Sequence, residues 1–156
     1  MQLVGFTALS VEIITNFSTL WNCARLAVLN VPLILFLIAL LMNRIVFFLK
    51  SEYKKFVLES VHNGLVASLG IEDWDRFQRI IEYEKCDFET APEKTDNFMI
   101  IELSLFPGRT KEQKKMAIEM ITSNLVSSLS IKPTDVFIVI NEPPLENWGM
   151  GGNQKQ

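Results

Sequence analysis

The sequence predicts an α+β domain built as a duplicated βαβ unit (β-α-β-β-α-β). A four-stranded sheet should carry two helices on one face, with an apolar helical extension at the N-terminus. Two observations carry the prediction. A shift of 60 residues lays Ser51–Glu82 over Lys111–Glu142 without a gap, and 13 of the 32 aligned pairs are identical. Among them are Lys54/Lys114, Glu59/Glu119, Leu65/Leu125, Leu69/Leu129, Ile71/Ile131, Asp75/Asp135 and Phe77/Phe137, more than chance supplies in an ungapped overlay. Charge is also unevenly spread: residues 1–49 hold only Glu12, Arg25 and Arg44, while the other 30 of the 33 charged side chains lie from Lys50 onward.

From the N-terminus, Leu26–Met42 runs for 17 residues without a charge and is followed, after Asn43 and Arg44, by IVFFL. That is the lower edge of a membrane span, since about 20 apolar residues cross the hydrocarbon core. A span there would leave Arg44, Lys50, Lys54 and Lys55 on the cytoplasmic side. A secretory signal fits less well, because no basic residue precedes Arg25 and no small-x-small cleavage site follows the run. The expected division is an apolar extension over 1–42, with a candidate membrane helix at 26–42, and a domain over 43–156. Within it, repeat units occupy about 43–83 and 98–142, followed by a tail over 143–156.

In the first unit Phe56, Val61, Leu65 and Leu69 mark a helix, and Phe77–Ile81 the closing strand. Its opening strand, placed by the 60-residue offset, should fall in 38–46. In the second unit FMIIELSLF (98–106) reads as a strand broken by Pro107-Gly108. Thr110 and Gln113 form a capping box, in which the threonine hydroxyl takes the third-turn amide and the glutamine reaches back. Met116, Ile118, Ile121, Leu125 and Leu129 give one apolar helix face. Lys132-Pro133-Thr134 turns the chain into the β-branched and aromatic strand Val136–Ile140. Helices on one face leave the other sheet face apolar, and self-association is the natural cover.

Composition narrows the function classes. One hundred and fifty-six residues make one ordinary domain or a small domain with an appendage. A net charge of -3 and a pI near 5.2 give no cationic surplus for phosphates, so nucleic acid is not an expected partner. One histidine (His62) and two cysteines (Cys23, Cys86) share no ligand spacing, so neither a metal nor a cofactor is expected. The cysteines should be free thiols in a reducing compartment, the cytoplasm, or on the cytoplasmic side of a membrane if the anchor is real. His62, mid-helix, is expected at the surface or an interface.

Three motifs then resemble the tautomerase superfamily, which includes 4-oxalocrotonate tautomerase, malonate semialdehyde decarboxylase and macrophage migration inhibitory factor. Gly108-Arg109-Thr110-Lys111-Glu112-Gln113-Lys114 is similar to that family's G-R-[ST]-x-E-Q-K helix start. Asp75-Arg76-Phe77-Gln78 is similar to the D-R-[FY]-Q of its longer members, and Trp148-Gly149-Met150-Gly151-Gly152 to its aromatic-G-x-G-G close. The resemblance covers Ser51–Gly152, about two thirds of the chain.

It implies a homotrimer of βαββαβ subunits acting on a small 2-keto or enol carboxylic acid, by keto-enol isomerisation or a related decarboxylation. An N-terminal proline amine serves as acid or base, a group that titrates near neutrality. It also implies that Arg109 grips the substrate carboxylate, with a solvated surface arginine as the alternative, that Asp75 orients water or the proline, and that Trp148 lines the pocket, with plain core packing as the alternative. A cation beside the amides at a helix start suits a shared anion. Asp135 occupies the place of Asp75 in the second unit, so a turn-stabilising role stands beside the catalytic one. Arg76 corresponds to Val136 and is read as a pocket residue or a surface ion pair.

The family proline should stand at about Ile38 or Ala39, and neither is proline; the nearest, Pro32, has an amide nitrogen. Leu49 replaces the first-unit counterpart of Arg109, and Phe77 the closing-strand arginine of 4-oxalocrotonate tautomerase. Either residues 1–49 are an anchor fused to the domain, or an altered reading frame has overwritten the first strand. Two function classes follow: a tautomerase impaired by the missing amine, or a trimeric or membrane-tethered binding module with the same fold.

Overall fold

The computed structural model describes residues 10–16 and 33–155. Strand β1 (Ser10–Asn16) is followed by helix α1 (Leu33–Leu69) and strand β2 (Gln78–Tyr83). Strand β3 (Met99–Ser104), helix α2 (Lys111–Leu129) and strand β4 (Val136–Asn141) repeat the pattern. A hairpin of β5 (Gly149–Met150) and β6 (Asn153–Gln154) closes the chain, with Gly151 and Gly152 at φ 59° and 80° supplying its left-handed turn.

The strands form one sheet in the order β2-β1-β3-β4, parallel within each unit and antiparallel where β1 meets β3. The core is shared by both helices and the sheet. Val57, Val61 and Leu65 from α1 and Ala117, Ile121 and Leu125 from α2 are fully buried, as are Met99, Ile101 and Leu103 of β3. A Cβ added at Gly64 would meet Ile121 Cγ1 at 2.6 Å, so this glycine sets how closely the helices approach. On the opposite sheet face Phe77, Tyr83 and Phe137 stay exposed.

The opening strand is not in 38–46. Those residues are helical, and the strand lies at Ser10–Asn16, where Val11, Ile13, Ile14 and Thr15 are β-branched. The reason is local: Leu33–Leu49 is rich in leucine, which is not branched at Cβ, lacks glycine and proline, and runs into the amphipathic helix without a stop. The boundary expected at 42/43 therefore falls inside α1. Gln78 and Ile138, repeat counterparts, pair with Val11 and Ile101, so the two opening strands lie 90 positions apart, not 60. By that register the counterpart of Phe98 is Ala8, and residues 1–16 contain no proline.

Of the candidate membrane segment, 26–32 lie outside the described residues, as do Cys23, Arg25 and Pro32. Among the described residues no helix is long and apolar enough to cross a membrane.

Candidate functional site

Strand direction decides which residues share a sheet end. β1 and β2 start at the same sheet end, and β3 finishes there because Ser10 pairs with Ser104. β4 finishes there too, with Asn141 beside Ser104 and its carbonyl accepting from the Leu105 amide at 2.9 Å. Asp75 and Arg76 precede β2, Arg109 follows β3, and Trp148 follows β4, so all four sequence-predicted residues belong to this end.

Arg109 is reached through Gly108, whose φ of 110° is open to glycine. Its Nη1 donates to the Leu69 carbonyl at 3.2 Å, the last residue of α1. The cation thus sits on a helix C-terminus, where the dipole favours it, while standing one residue before the N-cap of α2. The predicted capping box is present: Gln113 N donates to Thr110 Oγ1 at 3.1 Å and Thr110 N to Gln113 Oε1 at 3.0 Å. An anion shared with α2 is therefore not needed to explain Arg109, which already has an acceptor.

Asp75 is wholly buried. Its repeat counterpart Asp135 is equally buried and is clamped by Thr95, whose amide donates to Oδ1 at 2.9 Å and whose hydroxyl donates to Oδ2 at 2.6 Å. At that opposite sheet end the Tyr53 hydroxyl is pushed above its usual value by burial and then by the Asp135 charge. Arg76 is exposed and turned onto Asp73, with Nε donating to the Asp73 carbonyl and Nη2 to Oδ1, both at 3.0 Å. Hydrogen bonds from Arg76 and then His62 hold the Asp73 carboxyl below the usual range.

Trp148 is half-buried, its Nε1 donating to the Pro143 carbonyl at 3.0 Å. It meets Phe106 edge to face, with centroids 4.7 Å apart and planes at 66°. Lys155 Nζ lies 5.4 Å from the Phe106 centroid. An ion pair between Lys114 of α2 and Glu142, just after β4, ties the helix start to the same end. In the first unit Lys54 pairs with Glu82 in the same way at 2.9 Å, joined by Lys50 at 2.6 Å. Lys111, beside the cap, is exposed.

Two groups escaped the sequence reading. Phe106 was visible as an aromatic directly before Pro107-Gly108. His62, expected at the surface or an interface, is fully buried, with Nε2 3.2 Å from Asp73 Oδ1. Its signal was spacing, because Leu58, His62, Leu65 and Leu69 share one helical face. No group of three or more potential metal ligands lies together among the described residues.

Known proteins resemble this arrangement. The family model described as tautomerase enzyme matches residues 75–151. The probable tautomerase YusQ of Bacillus subtilis (strain 168) is 32% identical over 102 residues, spanning 62% of this chain and 80% of the relative. Among solved structures, malonate semialdehyde decarboxylase superposes with a TM-score of 0.63 at 14% identity, over 90% of this chain and 89% of that one. The R7 fused 4-OT, an asymmetric trimer, gives 0.64 at 14% identity over 93% and 94%. At such identities the likeness is one of fold. It extends well beyond the two thirds of the chain that carry the motifs.

Proposed function

Because this chain belongs to the tautomerase superfamily, we propose that its sheet end is a site for proton transfer on a small 2-keto or enol carboxylic acid. The reaction is keto-enol isomerisation or a related decarboxylation. The observation that carries the reading is the convergence of two strand starts and two strand ends, which brings Asp75 and Arg76, Arg109, and Trp148 from three segments to one end of the sheet.

In this reading Arg109 binds the substrate carboxylate. Its bond to Leu69 uses one of the five guanidinium N–H donors, and a carboxylate needs two. The first-turn amides of α2 that Thr110 does not cap add donors beside it. Arg76 offers a second cation, Trp148 and Phe106 an apolar wall that strengthens those charges, and buried Asp75 a carboxylate to orient the proton-bearing group. The proton itself needs a base near neutrality. The family supplies it as a proline amine at the start of the first strand, and residues 1–16 of this chain contain no proline.

Turnover by the chain as written is therefore impaired, while carboxylate binding is retained. The assembly is a homotrimer through the open sheet face, supported by exposed Phe77, Tyr83 and Phe137 and by the trimeric state of the fused 4-OT. The domain comprises β1 together with residues 33–155. Assaying phenylenolpyruvate ketonisation tests the reading. Negligible turnover with weak, saturable binding of phenylpyruvate supports it, whereas an inert protein that binds no carboxylate removes it.

A further inference from the structure

We propose that His62 is a positioning residue that, through Asp73, fixes the direction in which Arg76 presents its guanidinium to the substrate carboxylate. The inference rests on the reading of the sheet end as a carboxylate site and names a residue that no family motif contains.

The geometry is a three-member chain from core to surface. His62 has no exposed surface, and the Asp73 side chain is 82% exposed. One atom, Asp73 Oδ1, faces His62 Nε2 at 3.2 Å and receives Arg76 Nη2 at 3.0 Å. An ionised carboxylate only accepts, and Asp73 is held below its usual range, so Nε2 must be the protonated ring nitrogen. His62 Nδ1 is buried with no hydrogen-bond partner among the described residues, leaving Asp73 as this ring's polar attachment there.

An exposed Asp–Arg pair three residues apart is weak and samples many rotamers. Tying its acceptor to a ring locked in a helix face removes that freedom, because Asp73 can no longer turn without leaving a buried donor unmatched. Arg76 is then held through Nε and Nη2, and three of its five donors remain for a ligand.

Duplication supplies the control. The positions of His62, Asp73 and Arg76 are occupied in the second unit by Thr122, Pro133 and Val136. All three members are absent together from the unit whose corresponding turn lies at the other sheet end. Simple packing would explain a buried side chain at 62, but not an acidic residue at 73 and an arginine at 76 that share one oxygen.

The test is the Arg76 Nε–H resonance of the full, 15N-labelled chain, read with phenylpyruvate binding. The wild type should show a resolved, slowly exchanging Nε–H. His62→Leu should lose it, and His62→Gln, which keeps an N–H donor, should retain it. Should His62→Leu fail to fold, Asp73→Ala at the exposed position, which removes the shared oxygen, takes its place, with loss of the resonance again expected. His62→Leu and Arg76→Ala should each weaken phenylpyruvate binding about 5- to 10-fold, and the double variant no further, because they remove one contact. A folded His62→Leu or Asp73→Ala with the wild-type Nε–H signal, or losses that add in the double variant, would overturn the assignment. A wild type that binds no phenylpyruvate sinks the carboxylate site instead, and the resonance still decides whether His62 orders Arg76.

Discussion

In the second βαβ unit, the buried aspartate before the closing strand is held by both donors of Thr95, and the turn around it carries Pro133 and Val136. In the first unit, the equally buried Asp75 lies in a turn carrying Asp73 and Arg76, backed by a buried histidine. The frame is common: Leu65 and Leu125 fill the core, and a Lys–Glu pair clasps each helix to the end of its closing strand. The turns before the two closing strands differ at Asp73/Pro133 and Arg76/Val136, and the internal duplicate acts as a control that a single unit could not offer.

The comparison breaks if equivalent core positions prove inequivalent. Leu65→Ala and Leu125→Ala, both at fully buried sites, should each cost about 2–5 kcal/mol, and within about 1 kcal/mol of each other, by urea denaturation. A large disparity would mean that the units do not share one core.

A smaller effect comes from a position where the units differ. Gly64 corresponds to Asn124, which donates to the Ser60 carbonyl at 3.1 Å across the helix crossing. Gly64→Ala drives a methyl to within 2.6 Å of Ile121 Cγ1 and 3.0 Å of its backbone. Overpacking should outweigh the gain in helix propensity, for a net loss of about 1–3 kcal/mol. A more stable Gly64→Ala protein would show that the helices can separate freely. Comparable in size is Thr95→Ala, which strips a hydroxyl from buried Asp135 and should cost about 1–3 kcal/mol. No loss of midpoint would mean that Asp135 is satisfied without its clamp.

The weakest effect is electrostatic. Burial pushes Glu82 upward, but hydrogen bonds from Lys50 and Lys54 outweigh it and hold the carboxyl below its usual value. A depressed folded pKa contributes stability that is complete above the unfolded value, near 4.3, and fades as pH falls through the folded one. Screened at the surface, it should amount to less than about 1 kcal/mol. Stability of the Lys50→Met/Lys54→Met double variant should therefore fall less than wild type between pH 5 and 3 on the order of that amount. Parallel curves would place the acid sensitivity elsewhere.

Much of the second unit was legible because each local signal agreed with the fold. Thr110 and Gln113 announced the helix start, the spacing from Ile121 to Leu129 its buried face, and Val136–Ile140 its strand. The first strand was hidden by the inference that made the repeat visible. An ungapped offset presumes equal connections, whereas the registers imply about 30 more residues between β1 and the aligned part of α1 than between β3 and α2. A leucine-rich run whose polar residues are the adjacent Asn43 and Arg44 also shows no polar stripe, so its periodicity could not separate helix from strand in 38–46. At the site, motif residues were readable, but their partners were not. Arg109 reaching Leu69 and Arg76 reaching Asp73 depend on where two helices end, which no linear pattern records.

The central claim is that this sheet end retains a carboxylate site and lacks the proline amine. It is tested by a variant without residues 1–7 in which Ala8→Pro supplies a free N-terminal proline after methionine removal. That protein should ketonise phenylenolpyruvate where the parent chain does not. Arg109→Ala within it should lower kcat/KM by the equivalent of about 2–4 kcal/mol, the range for removing a charge-stabilising donor from a desolvated site. Turnover by the unaltered chain, or an Arg109→Ala protein as active as its proline-bearing parent, would contradict the account.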